Sequence, residues 1–60
     1  MTRRDYVELA DAVRAGYDIC KNRDEKVGAE IVARTIADLL ASNSGAFDRE
    51  LFLTNCGVKQ

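Results

Sequence analysis

No proline interrupts this chain, and residues that favour turns gather in two short stretches, "NRDE" at 22–25 and "SNSGA" at 42–46. Without proline a helix meets no hard break, so the two stretches divide the sequence into three helical segments. The first opens at Thr2, whose hydroxyl is placed to cap the amide of Asp5, with Met1 and Tyr6 as an apolar staple around that cap. At about 100° per residue, Tyr6, Leu9, Ala10, Val13, Gly16, Tyr17 and Cys20 fall on one stripe, while Glu8, Asp11, Arg14 and Asp18 point away. This periodicity predicts an amphipathic helix over about 3–21.

In the first break, Asn22 suits a left-handed stop and Asp24 a new cap, which predicts a second helix over about 25–41. Lys26, Glu30, Arg34 and Asp38 step by four with alternating sign and read as its wet face. Ile31, Val32, Ile36, Leu39 and Leu40 then form the core face of the most apolar and central helix. In the second break Gly45 supplies turn conformation. The segment "FDRELFLTNCG" at 47–57 reads as a third helix over about 48–56. Asp48 caps it, Phe47 and Phe52 staple it, Glu50 complements its dipole, and Gly57 ends it. Leu51, Phe52 and Cys56 share one of its faces. The expectation is an all-α, three-helix fold in one domain, 1–60. Two amphipathic helices form an antiparallel hairpin, closed by a short C-terminal helix anchored through Phe47, Leu51 and Phe52.

Sixty residues bury only about 60% of the surface of the unfolded chain, so a staple or a partner is expected. With no His and two Cys, a four-ligand zinc site of N and S donors cannot be assembled, and neither metal nor cofactor is expected. The first sixteen residues, "MTRRDYVELADAVRAG", carry charge throughout and lack the apolar region of a signal peptide, so the expected location is the cytoplasm, with Cys20 and Cys56 expected to be reduced. No apolar run approaches the roughly 20 residues of a membrane span. Nine basic against ten acidic residues leave a net charge of -1, which argues against a general nucleic-acid binder.

Chemistry-bearing clusters are few. No nucleophile with a base, phosphate loop or metal cluster is visible, so no catalytic residue is assigned and the chain reads as non-enzymatic. Cys56 stands at a helix C-terminus, where the dipole disfavours a thiolate, and reads as a packed core residue. Glu8 and Asp11 read as a solvated face. Arg3 and Arg4 occupy a first helical turn, the unfavourable end of the dipole, and with Arg49 they are candidate contacts to an anion or an acidic partner. A helix-turn-helix reading fails on its long second break and on a third helix offering only Arg49 and Asn55 to bases. Val7, Ala12, Ala15 and Ile19 fall off the main stripe of the first helix and form a candidate interface, including for homodimerisation. Tyr6 and Tyr17 read as core-edge residues with hydroxyls in water.

The two ends, "TRRDY" at 2–6 and "FDRELFLTNCG" at 47–57, resemble those of a group of very short proteins encoded in tailed-phage and prophage genomes. That group begins Thr-Arg-x-Asp-Tyr and ends Phe-Asp-Arg-x-x-Phe-Leu-x-x-Cys-Gly, and "IADLLASN" at 36–43 is similar to its middle helix. The resemblance covers about half the chain and implies a phage or prophage accessory protein without implying a mechanism. The expected function is protein–protein interaction with a host or phage protein, with a homodimer as one form. A small nucleic-acid-associated regulator using Arg3, Arg4 and Arg49 is the alternative.

Overall fold

Three helices, α1 (Arg3–Ile19), α2 (Arg23–Asn43) and α3 (Arg49–Asn55), make up the computed structural model, which describes residues 2–58. Each packs against the other two. α1 and α2 form an antiparallel hairpin, and the short α3 folds back across one end of it.

Local chemistry sets the helix boundaries. At α1 the Thr2 hydroxyl accepts from the Asp5 N–H at 3.3 Å, and the Thr2 N–H donates to the Asp5 carboxylate at 2.9 Å, a reciprocal capping box. The staple expected of Met1 lies outside the described residues. Asn22 is extended, with φ -139°, and its side chain caps α2 by accepting from the Glu25 N–H at 2.9 Å. The helix therefore starts earlier than expected, with Asp24 inside its first turn. Asp48 caps α3 through the Leu51 N–H at 3.0 Å. α3 ends as a Schellman motif: Gly57, at φ 81°, donates to the Thr54 carbonyl and Val58 to the Leu53 carbonyl, each at 3.0 Å. Gly57 is the only described residue with positive φ. Gly45 thus lies in ordinary backbone, and the second turn closes through the Phe47 N–H on the Ser44 carbonyl.

The core is built from small residues on the hairpin and large ones on α3. Ala10 of α1 and Ala33 and Ala37 of α2 are fully buried against Phe52, Leu53, Cys56 and Val58. Leu9, Val13, Ile36, Leu40 and Phe47 pack around them. Alanine leaves room between the hairpin helices at this end, and that space is filled by Phe52 and Leu53 of α3 together with Cys56 and Val58, which follow it. Tyr6 stacks on Phe47 with ring centroids 5.0 Å apart and Phe47 on Phe52 at 5.5 Å, both tilted, a favoured aromatic geometry.

Two faces differ from the sequence expectation. α2 is turned by about a quarter of a revolution, at about 100° per residue. Ile31, Val32 and Leu39 are 58%, 57% and 60% exposed, whereas Lys26, Glu30 and Arg34 lie half-buried at the edge of the core. On α3, Leu53 is in the core and Leu51 is exposed, so the anchors are Phe47, Phe52 and Leu53. The alanine face wins on α2 because α3 already supplies the volume. Burying Ile31 and Leu39 there would push the helices apart.

Candidate interaction surface

At the end closed by α3, a cleft of about 450 Å³ opens between the N-terminal half of α1 and the outer side of α3. Tyr6, Phe47 and Phe52 form its apolar wall, the exposed Val7 and Leu51 stand in it, and Arg3, Asp48 and Asn55 supply its polar groups, the Asp48 side chain being engaged in capping α3. Among the described residues Arg3 makes no hydrogen bond or ion pair, so its guanidinium is available to a ligand. α1 delivers Arg3 and Val7 one turn apart because the Thr2 cap starts the helix at Arg3.

The three arginines singled out from the sequence go to three different places. Arg4 pairs with Glu8 one turn on, at 3.3 Å and well exposed. Arg49 reaches α2 and donates to Asp38 at 2.7 Å, tying α3 to the hairpin. Only Arg3 lines the cleft. The α1 interface group divides as well. Ala12, Ala15 and Ile19 are exposed on the side of α1 opposite Ala10, with Ile19 at 75%, while Val7 belongs to the cleft.

At the opposite end, where the hairpin turns, α1 and α2 are joined by polar contacts. The Tyr17 hydroxyl donates to Glu30 at 2.8 Å, so it is not the water-facing group expected from the sequence. Lys26 sits 4.4 Å from the centroid of the Tyr17 ring and donates to the Tyr17 carbonyl at 3.5 Å. Arg34 approaches Glu30 at 3.8 Å. The hydrogen bond to Glu30, then desolvation, holds the Tyr17 phenol above its ordinary pKa. The charged row that reads as a wet face is thus the inner edge of α2, facing α1 through Tyr17 and α3 through Arg49.

Cys56 is fully buried, and burial pushes its thiol pKa up, the opposite of an activated nucleophile. Cys20 is half-buried, donates to the Gly16 carbonyl at 3.4 Å, and is likewise a free thiol. Glu8 and Asp11 are exposed, and among the described residues no group of acidic or Cys side chains is arranged to hold a metal ion. No helix among those residues is long and apolar enough to cross a membrane. The cleft and the outer face of α2 are the two surfaces that sequence reasoning missed. Leu51 in the motif and Gly28 amid the α2 aliphatics were the signals for them. Comparisons of the chain with protein-family models, with curated proteins and with solved structures gave no match.

Proposed function

We propose that this chain is a non-enzymatic phage or prophage accessory protein, a small interaction module that binds a host or phage protein in the bacterial cytoplasm. The observation that carries the reading is the distribution of apolar side chains. The core is built largely of alanine and four larger residues near α3, while Val7, Ile19, Val27, Ile31, Val32, Leu39 and Leu51 remain exposed. So much aliphatic surface on so small a chain marks contact with other macromolecules. The α1–α3 cleft is the docking site for the partner. Val7 and Leu51 receive an apolar anchor, and Arg3 pairs with a carboxylate beside it. The phage assignment rests on the two end motifs.

The test is capture of partners from a host lysate by the intact chain, compared with Val7→Asp and Leu51→Asp variants whose helicity is checked by circular dichroism. Loss of the same partner from both folded variants, with no effect of added duplex DNA, is the expected result. Undiminished capture by both variants would refute the cleft as the docking site. Salt-dependent DNA binding weakened by Arg3→Ala, Arg4→Ala or Arg49→Ala would replace the reading with the nucleic-acid alternative.

A further inference from the structure

The outer face of α2 is a seam that fits itself. Gly28, Val32, Thr35 and Leu39 recur at spacings of four, three and four, which is the spacing of a heptad interface. All four are exposed, and none carries a charge. A glycine inside a helix is a poor helix former, and a Cβ at Gly28 would meet nothing within 4 Å, so the isolated chain supplies no packing reason for it.

We infer that a second copy of this chain covers this face, with the two α2 helices antiparallel about a two-fold axis level with Ala33 and Arg34. In a two-fold contact, residue i meets j and j meets i. This axis places Gly28 opposite Leu39 and Val32 opposite Thr35, so each large side chain meets a small one. The same axis sets Asp24, in the first turn of one α2, beside Asn43 in the last turn of the other. The Asn43 amide meets a carboxylate there, and the helix dipoles oppose. A parallel pair would set the acidic first turns against each other. An unrelated partner would need no such match of the face to its own reverse.

With Val32 and Leu39 as its large apolar side chains the seam is a small contact, so the dimer is reversible and concentration-dependent. This inference is independent of the cleft, which no α2 residue lines.

The test is molar mass by light scattering and sedimentation from the micromolar to the millimolar range, under reducing conditions. The intact chain should rise from 6.7 kDa towards twice that mass. Leu39→Asp should weaken association by about tenfold or more. Gly28→Leu is the sharper variant: the position is exposed, a Cβ there meets nothing within 4 Å and the helix gains propensity, so it stays folded while filling the hole that Leu39 of the second copy needs. A mass that stays at one chain throughout would overturn the inference. So would a dimer that survives Gly28→Leu and Leu39→Asp but is lost on Ile19→Asp, which would move the contact to α1.

Discussion

The two ends of this molecule hold the same pair of helices by different physics. Where α3 closes the hairpin, Phe47, Phe52, Leu53 and Val58 fill the space between alanine-faced helices, and Tyr6 extends the aromatic row. At the hairpin turn, beyond the reach of the seven-residue α3, Tyr17, Lys26 and Glu30 join the helices through a hydrogen bond and a cation over a ring. The first end depends on volume and burial. The second depends on groups that titrate and remain in contact with water. Ile19, Ile31, Val32 and Leu39 lie on the outer sides of the hairpin helices and do not fill the space between them, so the core is concentrated at one end.

The comparison breaks most visibly at the closed end. Phe52→Ala should cost about 3–5 kcal/mol, a large part of the roughly 3–9 kcal/mol that a 60-residue domain holds in total. Denaturant titration followed by circular dichroism would read it. A cost below about 1 kcal/mol would mean that α3 is not what organises the core. Gly57→Ala comes next. Its added Cβ meets the Arg14 side chain at no closer than 3.7 Å, so the penalty is that of a left-handed backbone alone, about 1–2 kcal/mol. Thr2→Ala removes the α1 cap and should cost about 1 kcal/mol, with fraying confined to the first turn in amide exchange.

The smallest effects separate the ends by pH. The backbone N–H of Thr2 holds the Asp5 carboxyl below its ordinary value. Its contribution is therefore complete above the usual carboxylate range, near about 4, and is lost as pH falls through the lowered value. Tyr17 behaves in the opposite sense. Its phenol is raised chiefly by Glu30, so the contact is intact below about pH 10 and is lost as pH rises through the raised value. Acid should loosen the start of α1 and alkali the hairpin turn. Tyr17→Phe should abolish the alkaline effect and leave the acid one, as read by amide exchange resolved along the chain. If both ends respond alike in the unsubstituted chain, the division between them is wrong.

The elements themselves are legible in short windows of sequence. Thr2 with Asp5, Asp48 with Leu51, Phe47 with Phe52, and Gly57 after Cys56 each act within five residues, and each does what its residue types predict. Asn22 is a partial exception, since Asn suits a cap as well as a stop and the choice depends on the path of the chain. The candidate site was legible only in pieces. Arg3 and Val7 stand out from the sequence, but Leu51, which completes their cleft, reads as an anchor because it neighbours two residues that are anchors. Arg49 reads as a free cation because Asp38 is eleven positions away.

By itself, the sequence determined three helices, the caps of the first and third, and the positions of the two turns between them, since those depend on hydrogen bonds and backbone preferences among near neighbours. Only the tertiary structure decided which side of α2 faces inward. Periodicity weighs side chains by size and apolarity, and so selects Ile31, Val32 and Leu39. Packing weighs them by fit, and with Phe52 and Leu53 already in place between the helices, Ala33 and Ala37 are the residues that fit.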